Sequence, residues 1–345
     1  MASTFKAYAD AMGATAATDY IGKPGDIFWD QANGELRVSD GATAGGTLIG
    51  GGGATAWATI TDINNANGPD NIAVGNSAGF TNQGAYGIAL GFGAGDTNQG
   101  QAAISIGYTA GQTTQGNSAI AIGPNAGNTT QGIDAVAIGV QAGLTTQGQS
   151  SVAIGQDAGQ ATQGISATAI GQNAGKTTQG ADAVAIGADA AVTGQGISAV
   201  AIGSAAGNTA QGSNTVAIGV DAGKTTQAAS AVAVGSGAGL TTQGIAAVAI
   251  GENAGTTAQG NSAVALGYQA GETSQSVVAV AVGTQAGETS QGNSAVAIGY
   301  LAGQTTQGTS AVAIGTSAGN VTQGGDAVAI GNLAGESNQG ASAVA

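Results

Sequence analysis

A glutamine recurs at every sixteenth residue from Gln83 to Gln339, seventeen times without exception. A glycine keeps the same step from Gly75 to Gly331, and no insertion or deletion breaks the phase between the two. The unit is clearest at 133–148, which reads Ile-Asp-Ala-Val-Ala-Ile-Gly-Val-Gln-Ala-Gly-Leu-Thr-Thr-Gln-Gly, and seventeen such units run from Pro69 to Gly340. A fixed period of this length is the signature of a solenoid, in which each unit packs only on its neighbours. Function is then expected along a surface, not in a pocket.

Numbering each unit 1–16 from Pro69, position 4 is Val or Ile except at Thr168, and position 6 is Ile, Val or Leu. Positions 3 and 5 are mostly Ala. This alternation of large and small at period two, with β-branched residues on one side, predicts a strand. Position 7 is always Gly, position 11 is Gly except at Ala191, and position 16 is Gly except at Ala228 and Ser276. These punctuate the unit as turns do. In the 133–148 unit the marker residues are Val136, Ile138, Gly139, Ala142, Gly143 and Gln147. Ala at position 10 and the Thr-Thr-Gln at 13–15 suggest a second short strand. A helix is excluded, because glycine in a helix interior costs about 1 kcal/mol and each unit carries three.

The expected fold class is therefore all-β: a parallel β-roll solenoid of seventeen coils, stacked about 4.8 Å apart in a rod of roughly 80 Å. On this reading Val and Ile fill a thin core, and the Ala of positions 3 and 5 form a flat apolar stripe outside it. A core so thin does not suffice for one chain, and small residues let backbones approach closely. The Ala stripe is thus the expected contact between sister chains, in a homotrimer.

Composition excludes several classes. Glycine is 65 of 345 residues, yet Pro is only 3 and there is no Gly-X-Y period, so collagen is excluded. The chain is rich in Val and Ile and poor in charge, the reverse of a disordered chain. Net charge is −14, with only five basic residues, Lys6, Lys23, Arg37, Lys176 and Lys224, so nucleic acid is not an expected partner. There is no Cys, which removes disulfides and thiolate metal sites. The first ten residues lack the basic and apolar regions of a signal peptide. No stretch approaches the roughly 18 apolar residues of a membrane span, so membrane insertion is not expected.

The string Asn-Ser-Ala-Val-Ala-Ile-Gly at 293–299, with variants at 117–123 and 261–267, resembles the Asn-Ser-Val-Ala-Ile-Gly head repeat of trimeric autotransporter adhesins. That repeat also occurs in fibre proteins of tailed bacteriophages. The resemblance covers 69–345, about four fifths of the chain. It implies a left-handed parallel β-roll, three chains wound around a threefold axis, and an adhesive or spacer role. The chain departs from it by an extra Ala after the Ser and by a rigid period of sixteen with a Thr-Thr-Gln-Gly tail. Neither the secretion signal nor the C-terminal membrane barrel of an autotransporter is expected in it. These departures favour the phage family.

Residues 1–68 differ in composition, holding both Trp residues (Trp29 and Trp57) and three of the five basic residues. Residues 26–40 read as a β-hairpin, with Asn33-Gly34 as a type I′ turn between alternating strands, and resemble short hairpin modules of phage tail and fibre proteins. The expected organisation is an attachment head at 1–44, a Gly-rich linker and solenoid entry at 45–68, and the shaft at 69–345. The five residues 341–345 begin an eighteenth unit and stop inside its first strand, so the polypeptide is expected to continue.

No catalytic centre is expected. His and Cys are absent, so serine nucleophiles have no evident general base. Asp70, Asp134, Asp182 and Asp326 share position 2, whereas Asp157, Asp189 and Asp221 share position 9. Position 12 carries Asp96, Glu272, Glu288 and Glu336 but also Lys176, Lys224 and Leu144, which reads as a solvated corner. Only Glu272 and Glu288 lie in adjacent coils, where like charges repel or hold a cation. No cofactor or dedicated metal is expected. The Gln row reads as an axial ladder of stacked amides. The Thr at positions 13 and 14 raise a distant alternative, an ice-binding solenoid. Neighbouring residues on a strand face opposite ways, so only one Thr row is expected outside.

The function expected from all this is the structural fibre of a phage virion. The N-terminus docks on another virion protein, and the shaft projects for attachment to a host receptor. A cell-surface trimeric adhesin or extracellular filament subunit is the alternative. Binding chemistry is expected where the repeat is broken by large residues, at Tyr108, Tyr268, Tyr300 and Leu301, with Phe80 and Phe92 near the head.

Overall fold

In the computed structural model the described residues are 70–345 and, before them, Lys23, Ser39, Ala42 and the strand residues 27–30, 35–38 and 47–48. The chain forms two units, Met1–Ile63 and Asn64–Ala345. In the first, β1 (Ile27–Asp30) pairs antiparallel with β2 (Glu35–Val38), and β2 with β3 (Thr47–Leu48). Asp30 faces Glu35, which leaves residues 31–34 between the paired strands. A two-residue turn at Asn33-Gly34 would instead place Ala32 opposite Glu35. The turn itself, both Trp side chains and the rest of the head and linker lie outside the described residues.

The second unit is a parallel β-solenoid of about sixteen coils, with no helix among the described residues. Positions 4–6 form one strand per unit, from Ile72–Val74 to Val328–Ile330, and these stack in a single ladder of seventeen strands. Like residues face each other, Val136 with Val152, Ala137 with Ala153 and Ile138 with Ile154. The first strand pairs only with Ile88–Leu90, and the last pairs with Val312–Ile314 and bridges onward to Val344. The sheet is therefore an open stack and not a closed barrel.

Positions 14–15 form the second, shorter strand. Its row runs as five strands from Thr114–Gln115 to Thr178–Gln179, then as eight from Ala210–Gln211 to Thr322–Gln323. Backbone bonds between coils also continue outside the strands, as where Gly143 N–H donates to Ala158 O at 2.9 Å. Each coil thus templates the next on several sides.

Four points of the unit carry positive φ. Gly139 at position 7 has φ 130° and Gly143 at position 11 has φ 54°. A Cβ on Gly139 would also sit 2.6 Å from Gly155 O in the next coil, so that turn admits no side chain. Positions 2 and 9 are left-handed in non-glycine residues, for example Asp134 at 58° and Asp157 at 57°. Asp and Asn tolerate this region better than most residues, which gives the acids of positions 2 and 9 a conformational role in the corners.

The side chains reverse the expected sides of the strand. Ala135, Ala137 and Ala142 are 0% exposed, and the equivalent Ala of nearly every coil are buried with them. Val136 and Ile138 lie on the outer side, half-buried, and Ile250 and Ile298 are 41% and 39% exposed. Val and Ile are thus not the core, and Ala is not a contact stripe. The reason is width. A Cβ on Gly143 would come within 2.8 Å of Gln147 Oε1 and 3.4 Å of the Ala137 methyl. Between walls this close only small side chains, alanine with Ser or Thr in a few coils, and one glutamine per coil fit, far inside the ~10 Å usual for facing sheets.

The Thr rows also differ from expectation. Thr145 and Thr146 are both exposed, while Gln147 points inward. Alternation fails because position 13 precedes the strand, which comprises only positions 14 and 15. Thr145 therefore follows the turn and not the pleat.

Candidate interaction surface

The buried Gln row is the internal framework of every face. Gln147 Nε2 donates to Val136 O at 2.7 Å and to Ser151 O of the next coil at 3.5 Å. From Gln211 to Gln339 each amide also donates to the Oε1 of the next, as from Gln227 to Gln243 at 3.0 Å. Where a polar residue replaces an inner Ala it is satisfied locally. Ser105 Oγ donates to Gln115 Oε1 at 2.8 Å, and Thr215 Oγ1 to Gly212 O at 2.8 Å. Such satisfaction matters because an unmatched buried polar group costs about 1–3 kcal/mol.

Around this framework the solenoid offers two long faces and two corners. One face carries the outward Val and Ile of positions 4 and 6. No charged residue occupies either position in any unit. The strip is on the order of 80 Å long and 10 Å wide, larger than the few hundred Å2 of contiguous apolar surface usual on a monomer. The opposite face carries the Thr of positions 13 and 14, likewise free of charge, and is notched by Gly194, Ala210 and Ala258.

The corner at positions 9 and 12 is polar and internally bonded. Gln160 Nε2 donates to Gln141 Oε1 at 2.9 Å and to Asp157 Oδ1 at 2.8 Å, while Lys176 Nζ lies 3.6 Å from Asp157 Oδ2. Lys224 pairs with Asp221 at 2.9 Å. Glu272 and Glu288 share this corner in adjacent coils. Partial burial raises the Glu272 carboxyl above its ordinary value of 4.5, and the Glu288 charge adds to the rise, against a hydrogen bond from Gln269. Gln304 Nε2 donates to Glu288 Oε2 at 2.6 Å. Among the described residues no group of three or more His, Asp or Glu could hold a metal ion, and no helix is long and apolar enough to cross a membrane.

The large residues that break the repeat do not converge. Tyr108 is 57% exposed and stacks on Phe92 of the preceding coil, with ring centroids 5.5 Å apart and planes 12° from parallel. Tyr268 and Tyr300, 46% and 52% exposed, share its position but lie ten and twelve coils further along, about 48 and 58 Å. Leu301 is only partly exposed, in a left-handed turn with φ 56°, and its carbonyl accepts from Asn320 Nδ2 at 3.1 Å. Phe80 is 66% exposed. The structure therefore joins Tyr108 to Phe92, whereas Tyr268 and the consecutive pair Tyr300-Leu301 lie far along the stack from them. The apolar face at positions 4 and 6 was missed from sequence, although the absence of charge there was a usable sign.

No protein-family model matches the chain, and no curated protein matches it.

Proposed function

We propose that this protein is a structural fibre, in which the solenoid is a stiff shaft that assembles as a homotrimer through the Val/Ile face. The observation that carries the reading is the outward aliphatic ladder of positions 4 and 6, uncharged over seventeen strands and broken by a polar residue only at Thr168. Its area, roughly 800 Å2 from the dimensions above, is similar to the ~800 Å2 that each partner of a stable interface buries. The resemblance of the Asn-Ser-Ala-Val-Ala-Ile-Gly strings to phage fibre and adhesin heads supports a left-handed roll, a virion location and a role in host attachment. Residues 1–68 then serve as the attachment end, docking on another virion protein. Light scattering tests the assembly: a mass near three times 32.1 kDa is expected, and a stable folded monomer refutes it. Peptides of the chain in purified virions, against washed cell-surface fractions, test the location.

One observation favours a second reading, an ice-binding surface: both Thr columns are exposed, where one was expected. The notches at Gly194, Ala210 and Ala258 count against it. Thermal hysteresis in a dilute solution tests it, and its absence removes the reading.

A further inference from the structure

Halfway along the shaft three irregularities fall in one coil, 181–196. Ala191 stands where every other unit has Gly at position 11, and holds a left-handed φ of 49°. Its methyl occupies the space where, in other coils, an added Cβ would meet the Gln side chain at 2.5–3.1 Å. Gly194 stands at position 14, and here the short strand thins to single bridges: the row ends at Thr178–Gln179 and resumes at Ala210–Gln211, with Gln195 bridging to Gln179 and Gln211, while Thr193 N–H and Gly196 N–H still donate to Asn208 O and Gln211 O at 3.0 and 2.8 Å. The amide ladder breaks at the same step. Gln179 Nε2 donates to Gln195 Oε1 at 3.1 Å, but Gln211 Oε1 is buried without a partner. Unpartnered Oε1 atoms occur also at Gln83, Gln99, Gln147 and Gln163. Only at Gln211 does one coincide with a break of the strand row inside the stack.

The other side of the coil is intact. Val184, Ala185 and Ile186 pair in register with Val200, Ala201 and Ile202. Val184 N–H donates to Ala199 O at 2.8 Å, and Val200 N–H to Thr215 O at 2.8 Å. The polar corner is stapled across the step by Asn208 Nδ2, which donates to Asp189 O at 2.8 Å. We propose that coil 181–196 is a one-sided hinge, at which the shaft bends by opening on its Thr face while the Val/Ile ladder stays closed. A solenoid is held by nearest-neighbour contacts only, so a local weakening is not shared out along the stack and bending concentrates where one wall is thinnest. Glycine at position 14 adds backbone freedom at that point. The hinge does not depend on the proposed assembly, because the Val/Ile face is the side that does not open.

Amide hydrogen exchange with site-resolved mass spectrometry, on the full chain in its native assembly, tests this. The Gln195 and Gln211 amides bond to Thr178 O and Gly194 O at 2.9 and 2.8 Å. They should exchange at least ~10-fold faster than those of Gln147 and Gln243, with Val184 and Val200 as slow as Val136 and Val232. The double variant Ala191→Gly, Gly194→Thr restores the common unit and should abolish the difference. Equal rates at all four glutamines, or a difference that persists in a folded double variant, overturns the hinge. Fast exchange at Val184 and Val200 as well means that the whole coil melts, and also overturns it.

Discussion

Ala137 and Val136 are neighbours on one strand and both are apolar, yet one is fully buried and the other lies half in solvent. In a domain of ordinary width the larger side chain goes inside, because it removes more apolar surface from water. Here the walls admit only small side chains, and the alanine wins the interior by volume. The consequence is a stack whose interior is alanine and glutamine, hydrogen-bonded from coil to coil, and a β-branched face left on the outside. The inner row decides whether a coil forms; on the proposed assembly, the outer row decides what the formed rod touches.

The hardest blow to that comparison is a charge on the inner row. Ala137→Glu puts a carboxylate where nothing is exposed and nothing can pair with it, so the coil should fail to form and the soluble yield should collapse. Leu144→Glu, at the polar corner, should change the melting temperature little. Comparable losses for the two would mean that position 5 is not an interior position. The matching change on the outer row is Val136→Ser with Ile138→Ser. It should leave the circular dichroism spectrum of the stack intact but weaken assembly, read as a fall in mass by light scattering at micromolar concentration. Loss of the spectrum with loss of mass would show that the outer row is needed for folding too.

Much of this architecture was legible from the repeat. The invariant Gly75-to-Gly331 series marks a turn, and the alternation from position 3 to position 6 marks a strand. Both follow from local backbone requirements that a sequence displays. The direction of the alternation was not legible, since Ala-Val-Ala-Ile is apolar on both sides and period two does not say which side is in. What decides it is the distance between walls, set by Gly143 against Gln147 across the coil. Thr145 departs from expectation for a related reason: it precedes the strand Thr146–Gln147, so the pleat does not set its side. For the candidate contacts, the stacking of Tyr108 on Phe92 was not anticipated, although the two share a repeat position in adjacent coils. Tyr268 and Tyr300 lie two coils apart, about 10 Å.

A smaller effect is expected inside the ladder. Gln147→Leu keeps an apolar group in the space but strips Val136 O and Ser151 O of a donor. The cost should be about 1–3 kcal/mol, read as a lowered denaturation midpoint with an unchanged slope. Gly143→Ala should cost less, roughly 1–2 kcal/mol for the left-handed backbone, because Ala191 already occupies the same position in the native chain. If Gly143→Ala proved the worse of the two, the clash with Gln147 Oε1 at 2.8 Å would outweigh the hydrogen bonds, and width alone would rule the interior.

The smallest effect sits at the corner, where charge and not width decides. Burial, with Glu288 in the next coil, holds the Glu272 carboxyl above its ordinary 4.5. A raised acid binds its proton more tightly in the folded chain than in the unfolded one. Its contribution to stability is therefore fully present below about 4.5 and is lost as pH rises through the folded value. Glu272→Gln imitates the protonated form at every pH, so it should be slightly more stable than the native chain at pH 7 and indistinguishable from it at pH 3. Glu288→Gln should give a similar but smaller gain at pH 7, by relieving only the repulsion between the two carboxylates. Melting temperatures of the three proteins at the two pH values measure this. A gain that persisted at pH 3 would mean that shape and packing, not the charge of Glu272, set the energy of this corner.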